Sequence, residues 1–209
     1  MRNQINGIGD FKREHFTKIV DMFLEQWDLG RFASETPGRA CGRIYLFEIL
    51  NCSDQIIAFF DKGEICGIAG FGNYRKPAMR FKRWCYKIRR KIMINRKIKN
   101  KSGFWKYYES YHYSPKEFEN YFDGDLSILI VDKRYRGRGL GKVLFDEICA
   151  RAHKSGMKKM RIDTDDSCNK GFYERLGCRQ MYCAECKCLS KEPSVENIYI
   201  FEKVLGETV

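Results

Sequence analysis

The sequence has no long hydrophobic run. Across 209 residues no apolar stretch approaches the length that crosses a bilayer, and no apolar stretch follows the basic start MRNQINGIGDFKREH, as it would in a secretory signal. These absences argue against membrane insertion and against secretion. We therefore expect a cytoplasmic protein, and the length favours a single domain over residues 1–209.

Acidic residues are missing from one long segment. Residues 75–101 contain thirteen Lys or Arg and no Asp or Glu. The remaining 26 basic residues balance the 27 acidic ones, so this segment accounts for the net charge of +12. Apolar side chains recur in it every three or four residues, which predicts a basic amphipathic helix. They are Phe81, Trp84, Cys85, Ile88 and Ile92.

Cysteine is abundant, but the second half of a metal site is absent. Ten cysteines are scattered along a chain without a secretory signal, which favours reduced thiols over a disulfide scaffold. Cys183, Cys186 and Cys188 form C-x-x-C-x-C, which is half of a zinc site. No second cysteine pair and no histidine follows them in the sequence. We therefore expect no metal.

The pattern most informative about function is DLSILIVDKRYRGRGLGK, residues 125–142. Residues 127–131 have the length and composition of a buried strand, and the apolar residues of 143–152 recur at helical spacing. Between them, Gly137, Gly139 and Gly141 leave the backbone accessible to a ligand. Because the first N–H groups of a helix have no partners within it, this turn predicts an anion site.

Two nucleotide-binding motifs do not fit this turn. A G-x-G-x-x-G pattern starting at Gly137 has Lys142 in its third glycine place. A Walker A loop would need glycine at Arg136 and Ser or Thr at Val143. The pattern R-x-x-G-x-G does fit, as Arg136, Gly139 and Gly141, and it resembles the acetyl-CoA signature of the GNAT superfamily of N-acetyltransferases. The alternative is an ordinary turn between a strand and a helix.

A second segment strengthens the resemblance. DDSCNKGFYERLGC, residues 165–178, is similar to the second motif of that family, and the two motifs occur in family order and spacing. The resemblance implies an α/β fold, with a central, mostly antiparallel twisted sheet flanked by helices. Residues of about 73–123 would then be a basic and aromatic helical insertion, which includes FWKYYESYHY at 104–113.

Local patterns agree with that fold. Residues 55–60 and 65–71 flank a hairpin turn at 61–64, and 160–164 read as a strand that follows a helix ending at Gly156. Helical patterns cover residues 12–28 and 36–50. The second contains Glu48, which either contacts an amine or lies on a solvated helix face.

The resemblance also implies an activity, which is direct transfer of acetyl from acetyl-CoA to a primary amine in a ternary complex. N–H groups of residues 137–142 would bind the pyrophosphate, with charge from Arg136 and Arg138. Main-chain groups of residues 129–131 would bind the pantetheine arm and polarise the acetyl carbonyl. The implied acetyl-CoA-binding residues are Leu129, Ile130, Val131, Arg136, Gly137, Arg138, Gly139, Leu140, Gly141, Lys142 and Asn169.

Two catalytic residues follow from the same resemblance. Tyr173 matches the family tyrosine near the CoA sulfur and would protonate the departing thiolate; the alternative is a core aromatic. Asn169 lies four residues earlier, whereas the commoner pattern has asparagine where this chain has Asp166. Asp125 stands eleven residues before Arg136, the spacing of a catalytic glutamate in the histone acetyltransferase branch. It would be the base, directly or through water, or else a strand-end carboxylate.

The basic insertion has three interpretations. Its apolar stripe packs on the domain, or its charge attracts an acidic acceptor or the CoA phosphates, or it binds nucleic acid or an anionic membrane. A different class of function also stays open. The chain would then be a catalytically weak CoA-binding or regulatory module whose basic helix binds nucleic acid or an acidic partner.

Overall fold

A computed structural model describes residues 7–27, 35–97, 113–166, 168–186 and 196–206. The strands are β1 (Gly7–Asp10), β2 (Gln55–Asp61), β3 (Glu64–Asn73), β4 (Gly124–Val131), β5 (Lys159–Asp165), β6 (Arg179–Cys186) and β7 (Glu196–Val204). The α-helices are α1 (Phe16–Gln26), α2 (Glu35–Cys52), α3 (Pro77–Lys97), α4 (Leu140–Lys154) and α5 (Lys170–Arg175).

The strands form one sheet in the order β1-β2-β3-β4-β5-β7-β6. All neighbours are antiparallel except β4 and β5, which are parallel. The predicted hairpin at 61–64 is confirmed: Lys62 and Gly63 make the turn between β2 and β3, both with positive φ. The fold implied by the resemblance is therefore confirmed.

The parallel pair separates soon after it begins. Register pairs join β4 to β5 only at Gly124 with Met160 and at Asp125 with Arg161. From Leu126 to Val131, β4 has no register partner in β5 and keeps its pairing with β3 alone. A bulge also falls here, because Ser127 has no partner where Phe71 pairs with Leu126 and Gly70 with Ile128. The splay leaves main-chain groups of β4 available at the centre of the sheet.

Helices cover both faces of the sheet. Helices α1 and α2 pack over one apolar cluster, which includes Phe23, Leu46 and Ile128. Helices α4 and α5 pack over the other, which includes Phe145 and Phe201. Packing against these two clusters holds in place the helices that border the gap between β4 and β5. Among the described residues no helix is both long and apolar enough to cross a membrane.

Helix α3 confirms the predicted basic helix but corrects the expected direction of its apolar stripe. Phe81 and Trp84 are 66% and 59% exposed, and Ile88 and Ile92 are also exposed. Arg90 and Ile94 are buried instead, on the side where α3 packs against α2. The interpretation in which the stripe packs on the domain is therefore wrong. Most of the aromatic sequence at 104–113 lies outside the described residues.

Candidate active site

The glycine turn connects β4 to α4 through a 3₁₀ turn at Lys133–Tyr135. Gly137 and Gly139 have φ of 75° and 80°, in the left-handed region that disfavours every residue with a side chain. A Cβ at either position would meet no atom within 4 Å. Backbone conformation, and not lack of space, is what requires glycine here, so the surface above the turn is open to a ligand.

The start of α4 has the geometry of an anion site. Gly139 caps the helix, and the first helical hydrogen bond joins the Val143 N–H to the Gly139 carbonyl at 3.2 Å. The N–H groups of Leu140, Gly141 and Lys142 precede that bond, so the helix itself supplies them with no acceptor. Together with the helix dipole they favour a phosphate at this end.

Arg136 ties the turn to its surroundings. Its Nε donates to the Val131 carbonyl at 3.1 Å, and its Nη2 donates to Oε1 of Gln26 in α1 at 2.7 Å. The guanidinium thus lies at the end of β4, close to the turn, where its charge adds to the anion site. Arg138 instead stacks over the Tyr135 ring, 5.4 Å from its centroid.

The carboxylate of Asp132 organises the residues before the turn. It is buried and accepts hydrogen bonds from the Arg134 N–H and guanidinium, and Lys18 of α1 lies 2.9 Å from it. The hydrogen bonds from Arg134 hold the pKa of Asp132 well below its ordinary value, against the opposing effect of burial. An ionised Asp132 therefore fixes the start of the turn.

A single cleft of about 940 Å³ runs from the glycine turn along the splay between β4 and β5. Twelve of the thirteen site residues expected from the sequence line it, and Arg138 is the exception. We call the part beside residues 137–142 the turn end. We call the opposite part, beside Glu48, Asp125 and Asp163, the ion-pair end.

Tyr173 lies in α5 beside the middle of the cleft. Its ring packs against Phe172 and Phe201, with centroids 5.2 and 6.0 Å away. Burial, with smaller effects of Cys168 and Cys178, raises the pKa of Tyr173 well above its ordinary value. The phenol is therefore protonated at neutral pH. Tyr173 is a packing aromatic that also lines the cleft.

Asn169 is the residue before α5, at the rim of the cleft. Its carbonyl accepts from the Phe172 N–H at 3.0 Å, and its side chain caps no helical N–H. The residue is exposed, so its amide faces no crowding from the core. It also lines the cleft, which fits a contact with a bound ligand.

Three ion pairs define the ion-pair end. Arg83 binds Asp125 through both guanidinium Nη atoms, at 2.7 and 3.3 Å. Arg161 binds Asp163 of the same strand, with Nη2 2.8 Å from Oδ1. The third pair joins Arg90 of α3 to Glu48 of α2. Two of the three guanidinium groups therefore come from the basic insertion.

The pair of Arg83 and Asp125 depends on a glycine in the neighbouring strand. Gly72 pairs with Asp125 in the sheet register, and a Cβ at position 72 would overlap the Arg83 guanidinium. Ser127 also donates to Oδ1 of Asp125 at 3.2 Å, and Arg83 lies 4.8 Å from the centroid of the Tyr74 ring. Both oxygens of Asp125 are thus held in place by donors.

Charge and burial oppose each other at this end. Burial raises the pKa of Glu48 and of Asp163, and the guanidinium groups of Arg90 and Arg161 only partly offset it. Burial also opposes the charge of Arg83, but the Asp125 carboxylate raises the pKa of Arg83 above its ordinary value. The ion-pair end therefore holds charged groups that are costly to bury unless they stay paired.

The sequence matches the model of the acetyltransferase (GNAT) family over residues 16–178, which is more than half of the chain. The chain belongs to the GNAT acetyltransferase family. Members of this family use acetyl-CoA.

One curated relative aligns over a short segment. It is glucosamine 6-phosphate N-acetyltransferase from Trypanosoma brucei brucei, 38% identical over 56 residues. The alignment covers 27% of this chain and 37% of the relative, so it spans little more than a third of that protein.

Solved GNAT structures match nearly the whole chain. A structure from Corynebacterium glutamicum, named as a histone acetyltransferase and related acetyltransferase, superposes with a TM-score of 0.59 at 19% identity. The match covers 97% of this chain and 98% of that one. A Salmonella typhimurium protein solved with its cofactor acetyl-CoA gives a TM-score of 0.58 at 11% identity, covering 99% and 96%. At such identities the likeness shows the shared fold.

Several cleft residues were not predicted from the sequence. Arg83 and Arg90 belong to the basic segment, but nothing in the sequence showed which of its cations turn inward. Glu48 was predicted only as one of two alternatives, and its burial against Arg90 rules out a solvated helix face. Thr164 gave no signal; it lines the cleft, and its buried hydroxyl has no hydrogen-bond partner in the described part of the chain.

The cysteine pattern forms no metal site that the structure describes. Cys183 is a free, exposed thiol in β6, while Cys188 lies outside the described residues. Within the described ranges no group of three or more His, Cys, Asp or Glu side chains could hold a metal ion.

Proposed function

We propose that this protein is an N-acetyltransferase that moves acetyl from acetyl-CoA to a primary amine within a ternary complex. The observation that carries the proposal is the single cleft that joins the glycine turn to the ion-pair end through the splay of β4 and β5. A donor and an acceptor bound at its two ends would meet beside β4.

Binding of the donor uses mostly main-chain groups. The N–H groups at the start of α4 receive the pyrophosphate, and Arg136 adds positive charge at the end of β4. The pantetheine arm lies along residues 129–131, whose main chain has no partner in β5. Asn169 faces the arm from the rim of the cleft. The extended pantetheine arm thus supplies hydrogen-bond partners to the part of β4 that does not pair with β5.

The reacting amine attacks as its neutral form. We propose that Asp125 removes the amine proton, directly or through a water molecule, while Arg83 and Ser127 hold its carboxylate in position. The nitrogen lone pair forms a bond to the thioester carbonyl carbon, and N–H groups of β4 stabilise the negative oxygen of the tetrahedral intermediate.

Collapse of that intermediate breaks the carbon–sulfur bond. The electron pair leaves with the sulfur, and we propose that the Tyr173 phenol donates its proton to the resulting thiolate. A phenol is already protonated at neutral pH, so Tyr173 keeps its proton until a thiolate forms beside it. The products are the N-acetylated amine and CoA. The proton that Asp125 took from the amine passes through solvent to the Tyr173 phenolate, so both side chains return to their starting states.

The acceptor binds at the ion-pair end. The Thr164 hydroxyl has no hydrogen-bond partner among the described residues, and it offers a hydrogen bond to a polar amine. The polar groups of Arg83 and Asp125 offer others. The relative from Trypanosoma brucei brucei is named for an amino sugar phosphate, so glucosamine 6-phosphate belongs among the amines to test.

Calorimetry with acetyl-CoA, followed by an amine panel assayed for thiol release, tests the proposal. We expect binding of acetyl-CoA and amine-dependent release of CoA. Binding without turnover on any amine would favour the alternative, a CoA-binding or regulatory module. Failure to bind acetyl-CoA at all would overturn both functions.

A further inference from the structure

The outer side of α3 carries an unusual surface. Phe81, Trp84, Ile88 and Ile92 are all exposed, and the first two rings stack with centroids 5.9 Å apart. At 100° per residue these side chains fall within one sector of about 80°. They form a stripe roughly 16 Å long, which we call the outer stripe.

Cations border the outer stripe on both sides. Arg80 and Lys91 lie along one edge by helical angle, and Lys82, Arg89 and Arg96 lie along the other. All five are exposed. Because residues 75–101 contain no acidic residue, nothing within the segment neutralises this border.

The opposite side of the same helix is turned to the protein. Arg90 and Ile94 are buried, and both Arg83 and Arg90 line the cleft. The helix therefore turns guanidinium groups inward and exposes aromatic and aliphatic side chains, the reverse of a helix that serves only to cover a core. Tertiary packing of α3 does not account for its outer stripe.

We propose that the outer stripe of α3 docks on an anionic lipid surface. An apolar face bordered by Lys and Arg, in a helix that is otherwise rich in cations, is the pattern of helices that lie in a membrane interface. Trp84 and Phe81 suit the headgroup boundary, and the cations match anionic lipids in charge.

Nucleic acid is the less favoured partner. It would use the cations and could stack bases on aromatic rings, but Phe81 and Trp84 already stack on each other. Ile88 and Ile92 continue the stripe with aliphatic side chains, which offer nothing to a base or a phosphate. The hydrocarbon of lipid chains can bury all four side chains of the outer stripe.

Docking would have a consequence for the cleft. The two sides of α3 would have different roles. Its outer side would lie on lipid, while Arg83, Lys87 and Arg90 line the ion-pair end. The helix would then separate the ion-pair end from the lipid surface. This orientation does not depend on the proposed acetyl transfer, so docking can be tested separately from activity.

Co-sedimentation of the full chain with vesicles tests the proposal. One set contains phosphatidylcholine alone, and the other contains about one third phosphatidylglycerol. We expect binding to the anionic set only, weakened by salt. The double variant Phe81→Ser, Trp84→Ser should bind at least about tenfold more weakly, with an unchanged unfolding midpoint.

Matched variants separate the contributions. Tyr113→Ser changes another exposed aromatic, 56% exposed and outside α3, and should bind as the parent does. Lys82→Gln with Lys91→Gln removes one cation from each edge and should reduce binding roughly tenfold. Trp84→Phe should keep vesicle binding but lose the blue shift of tryptophan emission that the parent shows on binding.

Three results would overturn the proposal. One is no sedimentation of the parent with anionic vesicles. Another is full binding by the Phe81→Ser, Trp84→Ser variant. The third is tight binding of a short RNA or DNA duplex, sensitive to the two Lys changes, without any vesicle binding, which would assign the surface to nucleic acid.

Discussion

The turn end of the cleft offers main-chain N–H groups, whereas the ion-pair end offers side chains that already hold charged partners. At the turn end, Gly137 and Gly139 are exposed and their backbone conformation keeps the surface open. At the ion-pair end, Arg83, Asp125 and Glu48 come from three separate elements, and each of them is held in an ion pair.

This difference explains what each end can recognise. Main-chain N–H groups at a helix start bind phosphate whatever the neighbouring side chains are, so the turn end suits one donor shared by a family. Paired side chains bind according to their spacing, so the ion-pair end can vary with the acceptor. The same contrast predicts how substitutions at the two ends will differ.

The largest effect is expected at the turn end from Gly139→Val. A β-branched residue at φ 80° strains the turn and places side-chain atoms where the pyrophosphate would bind. We expect acetyl-CoA affinity to fall at least about a hundredfold, measured by calorimetry. Gly156→Val is the control, because Gly156 also has positive φ and open space but lies at the far end of α4. Equal loss of affinity in both variants would contradict a specific role of the turn.

At the ion-pair end, Asp125→Asn should act on turnover and not on the donor. Asparagine can still accept from Arg83 but cannot remove an amine proton, so we expect kcat to fall about a hundredfold with unchanged acetyl-CoA affinity. Asp125→Glu keeps the carboxylate and should retain most of the activity. Undiminished kcat in Asp125→Asn would remove the proposed base and leave Asp125 as a positioning residue.

Between the two ends, Tyr173→Phe should slow turnover by about tenfold to a hundredfold. The ring keeps its packing against Phe172 and Phe201, so the unfolding midpoint should change little. The measurement is the initial rate of thiol release, with acetyl-CoA and with acetyl thioesters whose leaving thiols differ in pKa. If Tyr173 is only a packing residue, the rate of CoA release will match that of the parent.

The smallest effect concerns the free energy of unfolding. Its dependence on pH should have opposite signs for Asp132, beside the turn, and Glu48, at the ion-pair end. The pKa of Asp132 is lowered in the fold, so its contribution is present above about pH 3.8 and is lost as pH falls further. The pKa of Glu48 is raised, so its contribution is present below about pH 4.5 and is lost as pH rises.

Urea unfolding of Asp132→Asn and Glu48→Gln across pH checks these signs. Asp132→Asn should cost about 1–3 kcal/mol at neutral pH, and the deficit should shrink in acid. Glu48→Gln should improve relative to the parent as pH rises above about 4.5. Parallel pH profiles for the two variants would contradict the contrast.

Most of the fold could be predicted because it follows from local patterns. The hairpin at 61–64, the strand before Arg136 and the helix after Gly139 each depend on residues close in sequence. The direction of α3 could not be predicted in this way. Its apolar residues have clear helical spacing, but spacing does not show which side meets the protein, and the side with Arg83 and Arg90 found carboxylate partners in other elements.

Local sequence was enough to predict the turn end, because glycine at φ 75° and 80° and the first N–H groups of a helix need no distant partner. The ion-pair end, the splay of β4 and β5 and the exposure of the outer stripe follow from contacts between elements that are distant in the chain. Burying a charged side chain is favourable only when a partner from another element reaches it. Such partners are brought together by the packing of α2, α3 and β4, and their separation along the chain hides them from any local pattern.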